Sequence, residues 1–197
     1  MAIDKIHEPF AMINADDFYG QDAYKSLAAY YSGWTPDRRN DFCMVGYDIV
    51  NCLSENGTVS RGVCISDAEG KLVEVIERTK ISKSGDEIVF LDDREQPVTI
   101  PAGTLVSMNF WGFTPSLFEG LKAGFREFIL KNAQDPKAEF FIPSVLNDMI
   151  NTGKAAVTVL SCQAKWFGMT YREDRPEVMA GIRELIGKGE YPENLWK

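Results

Sequence analysis

Asp16 and Asp17 stand side by side in the stretch INADDFYG, directly behind the apolar run from Phe10 to Ile13. Carboxylate oxygens are the donors that hard divalent cations prefer, usually together with phosphates of a ligand, so an acid at a strand-to-helix turn suits a metal–nucleotide complex. The same position suits a helix cap, because aspartate there satisfies free N–H groups and complements the helix dipole. Glu77 and Arg78 are adjacent near the end of a strand-like run, and their spacing alone describes a solvated pair. Gly62, inside another strand-like run, describes a bulge.

Other chemistries have little material. His7 is the only histidine, which leaves no second imidazole for a multi-histidine zinc site and argues against a His-centred catalytic dyad. Cys43, Cys52, Cys64 and Cys162 form no C-x-x-C pair, and all but Cys52 sit in apolar, strand-like surroundings; they read as free core thiols. Trp166 and Glu139 read as packing and capping residues.

The 197 residues are 45% hydrophobic and carry a net charge of −8, enough for a single domain with a sizeable core. No basic cluster interleaved with aromatics is present, so no nucleic-acid partner is expected. Apolar runs fall short of the about 18 to 20 residues of a membrane span, and the N-terminus lacks a basic region followed by an apolar signal core. A cytoplasmic protein handling small molecules is the expectation.

Elements that would carry these residues follow from periodicity. Phe10 to Ala15 reads as a strand covered on both faces in a parallel sheet, and Asp22 to Tyr31 as a helix presenting Tyr24, Leu27, Ala28 and Tyr31 on one face. Strands are predicted at 42–49, 59–66, 71–78, 87–91, 98–100, 104–113 and 155–160, with turns at DAEG and DDREQ joining antiparallel pieces over 59–100 that resemble an insertion. Thr114 and Pro115 read as N-cap and first residue of a helix whose Leu117, Phe118, Leu121, Phe125, Phe128 and Ile129 face a core. Further helices are predicted at 143–151 and 175–187. The fold class is α/β in a single domain spanning 1–197.

Taken in order, several segments resemble one family, the sugar-1-phosphate nucleotidyltransferases. INADDFYG resembles its metal-binding strand end, SRGVCISDAEGKLVEVIERT its hairpin, and SMNFWGFTPSLFEGL its strand running into a T-P helix. KAEFFIPSVLNDMI, KWFGMTYREDRP and the closing EYPENLW are similar to later segments. The resemblance implies a Rossmann-like mixed sheet with helices on both faces and inserted hairpins. It implies a reaction of a nucleoside triphosphate with a sugar 1-phosphate, giving a nucleotide sugar and pyrophosphate with Mg2+ as cofactor.

Carried over by position, the resemblance makes Asp16 the metal ligand, with Asp17 helping the nucleotide or the metal's water shell. Gly62 becomes a close backbone approach to the sugar, Glu77 the acceptor of sugar hydroxyls, and Arg78 the contact to the sugar phosphate, where the family has lysine. Asp16 and Arg78 would be the catalytic residues. Two departures stand out. The family's second metal-binding aspartate falls on Gly168, and no glycine-rich G-x-G-x-R loop occurs in the sequence. The chain therefore resembles roughly the C-terminal two-thirds of such an enzyme, with little transferase activity expected; the alternative is a non-catalytic sugar-phosphate or nucleotide-sugar binding module. An uncovered strand edge at Phe10 to Ala15 would favour a homo-oligomer.

Overall fold

The computed structural model describes residues 2–54, 56–169 and 171–194; Trp196 of the closing EYPENLW segment lies outside them. Strands β1 (Phe10–Met12), β2 (Asp41–Asp48), β3 (Val59–Ser66), β4 (Leu72–Ser84), β5 (Glu87–Leu91), β6 (Pro97–Ile100), β7 (Leu105–Phe113) and β8 (Ala156–Cys162) join in one mixed sheet. Its order is β6-β5-β4-β3-β7-β2-β8, with β1 added to β7. Only β2 and β8 run parallel among these pairs; the others are antiparallel. The sheet curls until the β3–β4 turn reaches β8, where Val159 N–H donates to the Gly70 carbonyl at 2.9 Å and Lys71 Nζ to Thr158 Oγ1 at 2.8 Å.

Alternation along the central strands divides the core. On β2, Val45 and Tyr47 face one side with Phe110 and Ala23, while Phe42 and Met44 face the other with Trp111, Phe113 and Leu146. Each such side chain taken fully out of water contributes about 1.5–3 kcal/mol. Helix α1 (Gln21–Tyr31) covers the first face, and α3 (Ile142–Asn151) covers the second, with α2 (Leu117–Asn132) packed on α3. Helix α4 (Arg175–Gly187) follows the segment behind β8. Among the described residues no helix is long and apolar enough to cross a membrane. All four cysteines are free, and Cys43, Cys52 and Cys162 are buried.

Several local expectations are corrected. β1 ends at Met12, pairs antiparallel with β7 and is only half-buried, because β7 is its one neighbour among the described residues and the chain turns at once toward the acids. In α1 the buried position is Ala23, while Tyr24 stays 46% exposed and meets Phe110 edge-on at 5.0 Å. Thr114 is not the cap of α2. Its hydroxyl and that of Ser116 both donate to the Arg39 carbonyl, and the helix starts at Leu117. The far half of α2 leaves the core, with Phe125 half exposed in an aromatic cluster with Phe128 and Phe140, because α2 packs on α3 and not along the sheet.

Candidate functional site

β7 has two edges, and one of them changes partner midway. β3 pairs there at Val106 and Ser107, and β1 pairs at Trp111 to Phe113. On the opposite edge β2 pairs Gly46 with Ser107 and Met44 with Trp111, so three residues of β7 oppose Val45 alone. This bulge opens a gap between β3 and β1, and over the gap lies a cavity of about 440 Å³. That volume falls in the range of small-ligand sites, roughly 300–1,000 Å³.

The cavity gathers four of the five residues singled out in the sequence. Asp16 and Asp17 enter from the turn behind β1, Gly62 from β3 and Glu77 from β4. Arg78 is elsewhere. Next to Glu77 on β4, it turns to the opposite face, where its guanidinium carbon lies 4.5 Å over the Phe90 ring beside Asp92 and Asp93.

Asp17 is held by its neighbours. Its Oδ2 accepts from Asn14 Nδ2 at 2.9 Å and lies 3.2 Å from the Tyr19 hydroxyl. That hydroxyl accepts from the Asn14 N–H at 3.1 Å and donates to the Met108 carbonyl at 2.8 Å, tying the acidic turn to the bulge. Burial, with Asp17 alongside, pushes the Tyr19 phenol well up, so it stays protonated. Asp16 is exposed and makes no hydrogen bond to a described residue.

Glu77 faces Gly62 across the β3–β4 ladder. Partial burial raises its carboxyl above the ordinary value, and the nearby Arg61 charge acts against this. A Cβ on Gly62 would stand 2.7 Å from Val75 Cγ1 and 3.4 Å from Ser107 Cβ, so the absence of a side chain keeps this wall open.

Sequence reasoning passed over Arg61, whose side chain lies in the cavity wall. Its Nε and Nη2 donate to the Cys52 carbonyl at 3.0 and 2.7 Å, and Nη1 donates to the Ser60 carbonyl at 2.8 Å. Its guanidinium carbon lies 4.9 Å over the Trp166 ring. Burial lowers its ordinary pKa, against the charges of Asp17 and Glu77 among others, but an arginine stays charged at such a site. Three bonds leave one N–H on each terminal nitrogen for a ligand. Its position directly before Gly62 was the available signal.

Gly168 also lines the cavity. A Cβ there would meet the Trp166 ring at 2.1 Å and stand 3.1 Å from Asp17 Oδ1. Trp166 thus excludes a side chain at 168, and Asp17 places a carboxylate oxygen close to where one would begin. Among the described residues no three His, Cys, Asp or Glu side chains converge as a metal cage. The donor set of Asp16 and Asp17, hard carboxylate oxygens beside an open cavity, fits magnesium shared with ligand phosphates.

The architecture is a mixed α/β sheet with helices on both faces, and its fold is shared with solved structures. It is similar to the structure from Bacillus anthracis assigned as a glucose-1-phosphate thymidylyltransferase in complex with a sucrose, with TM-score 0.55 and 11% identity over 93% of this chain and 58% of that one. It is also similar to apo UDP-glucose pyrophosphorylase, with TM-score 0.51 and 17% identity over 93% of this chain and 57% of the other. The chain thus spans less than two thirds of either neighbour. No family model matches the sequence, and no curated protein matches it.

Proposed function

We propose that the cavity binds a sugar phosphate and that its chemistry is nucleotidyl transfer, forming a nucleotide sugar and pyrophosphate from a nucleoside triphosphate and a sugar 1-phosphate. The observation that carries this reading is the convergence of Asp17, Gly62 and Glu77, from three separate segments, on one cavity in a nucleotidyltransferase-like fold.

In the reaction, an oxygen of the sugar phosphate attacks the α-phosphorus. A new P–O bond forms as the bond between the α-phosphorus and the oxygen bridging to the β-phosphorus breaks, and pyrophosphate leaves with that electron pair. Positioning and charge neutralisation supply most of the rate of such a step. Glu77 accepts hydrogen bonds from sugar hydroxyls, and Arg61 holds the phosphate. Asp16 and Asp17 would hold magnesium, which neutralises phosphate charge when bound. Three carboxylates face one guanidinium among the described lining residues, so a phosphate enters favourably with a divalent cation.

The second reading is a non-catalytic sugar-phosphate or nucleotide-sugar binding module. It is favoured by the single cation in the described lining and by the lack of a G-x-G-x-R loop in the sequence. Titration calorimetry with sugar 1-phosphates and Mg2+, followed by a pyrophosphate-release assay with nucleoside triphosphates, separates the two. Binding with release supports transfer, binding without release supports the module, and absence of binding contradicts both.

A further inference from the structure

We propose that Asp174 is a positioning residue that holds Arg61 ready for the ligand's phosphate, by fastening the loop before β3 to the segment behind β8; the assignment rests on the sugar-phosphate reading above. Asp174 is 7% exposed, the one buried charged side chain among the described residues, and it stands outside the described lining of the ligand cavity. A carboxylate persists in such a place only when hydrogen bonds satisfy it. Its Oδ1 accepts from Ser54 Oγ at 3.1 Å and from Asn56 Nδ2 at 2.8 Å, and its Oδ2 accepts from the Tyr171 N–H at 2.8 Å.

Of these three bonds, the last is a local cap at the start of a helical turn. The other two cross 120 and 118 residues of sequence. A further tie runs beside them: the Tyr171 hydroxyl donates to the Thr58 carbonyl at 3.0 Å, passing Gly57, where a Cβ would stand 2.8 Å from that hydroxyl. The glycine makes room for the tyrosine.

Ser54 follows closely on Cys52, whose carbonyl takes both the Nε and Nη2 donors of Arg61. Fixing Ser54 on one side and Thr58 on the other therefore fixes the acceptor that aims the guanidinium. The segment behind β8 also reaches Arg61 directly, since Trp166 lies against the guanidinium, and Asp174, Arg61 and Trp166 share the lining of a second, small cavity of about 40 Å³. Phe167 exchanges two backbone hydrogen bonds with Phe18, at 2.9 and 3.0 Å, next to Asp17. Residues 166–174 thus connect the acidic turn to the cradle of Arg61. A long side chain held in place beforehand loses less freedom when a ligand binds, so the tie raises affinity for the phosphate in particular.

The test is calorimetry of wild type, Asp174→Ala, Asn56→Ala and Tyr171→Phe with the tightest bound of glucose, galactose and mannose 1-phosphates in Mg2+, and with the matching unphosphorylated sugar, beside thermal melts. Asn56→Ala and Tyr171→Phe loosen the tie and leave the cap on the Tyr171 N–H in place, so they decide the matter even where Asp174→Ala does not fold. Each folded variant is expected to lose about three- to tenfold affinity for the sugar 1-phosphate and to keep its affinity for the unphosphorylated sugar. Combined with Arg61→Ala, each should add no further loss, because both changes act through one contact. Folded Asn56→Ala and Tyr171→Phe proteins with wild-type affinity overturn the assignment alone, as does a loss shared by phosphorylated and unphosphorylated sugar. Wild type that binds none of the panel overturns the sugar-phosphate reading and the assignment with it.

Discussion

Gly62 on β3 and Glu77 on β4 are direct register partners, and a Cβ placed on the glycine would stand 3.8 Å from Glu77 Oε2 and 2.7 Å from Val75 Cγ1. One methyl group here crowds Val75 and narrows the approach to the carboxylate. Gly62→Ala is expected to cost about 1–3 kcal/mol of stability through overpacking and to weaken sugar 1-phosphate binding about tenfold. Thermal melts and calorimetry on the same samples check both effects.

Glu77 gives a pH signature. Its folded-state pKa lies above the ordinary value of 4.5, so between the two values the folded chain holds a proton that the unfolded chain has released. Stability from this group is therefore fully present below 4.5 and is lost as pH rises through the raised folded value. Glu77→Gln does not titrate. Relative to wild type, its melting temperature should climb as pH is raised from about 4 to about 7, while its affinity for the sugar falls.

Arg61 and Arg78 are register partners across the β3–β4 ladder but reach different surroundings. Arg61 lines the cavity, and Arg78 stacks on Phe90 outside its described lining. Arg61→Ala is expected to lose about tenfold to a hundredfold in affinity for a sugar 1-phosphate, the worth of a charge-assisted hydrogen bond. Arg78→Ala should leave that affinity unchanged. Titrating both variants with phosphorylated and unphosphorylated sugar separates loss of the phosphate contact from general damage.

Charge balance makes metal dependence measurable. With Asp16, Asp17 and Glu77 facing Arg61, sugar 1-phosphate binding should weaken sharply in EDTA, while binding of the unphosphorylated sugar stays the same. Asp17→Ala should reproduce the EDTA behaviour in the presence of Mg2+, and calorimetric titrations with and without chelator measure it.

Ile3, Phe118, Leu121, the half-exposed Phe125 and Phe140 line an apolar groove, and Phe118 stacks on Phe10 of β1 at 5.5 Å, which sets the groove beside the first strand. Self-association through this surface is expected. Sedimentation velocity should show a dimer or larger species that Phe125→Glu returns to monomer; a wild-type monomer across a wide concentration range contradicts it.

Much of this fold was legible because its elements carry strong local signals. The DAEG turn, the period-two strands 59–66 and 87–91, and the helix at 175–187 appear at or within a residue or two of their predicted bounds. The direction of β1 was not legible, since the short apolar run from Phe10 to Ile13 has no period that tells parallel from antiparallel pairing. The site divided in the same way. Asp16, Asp17, Gly62 and Glu77 meet at the cavity, whereas Arg78 faces away because successive residues of a strand face opposite sides. Arg61 was passed over although it directly precedes Gly62, because its place in the cavity wall depends on the Cys52 carbonyl and the distant Trp166 ring, which local pattern does not bring together.

A crystal structure with a sugar 1-phosphate and Mg2+ tests the central claim most directly. The expected result is the sugar ring beside Glu77 and Gly62, with the phosphate within hydrogen-bonding distance of Arg61 and the metal shared with Asp16 or Asp17. A ligand ordered outside this cavity, such as beside Arg78 and Phe90, would contradict it.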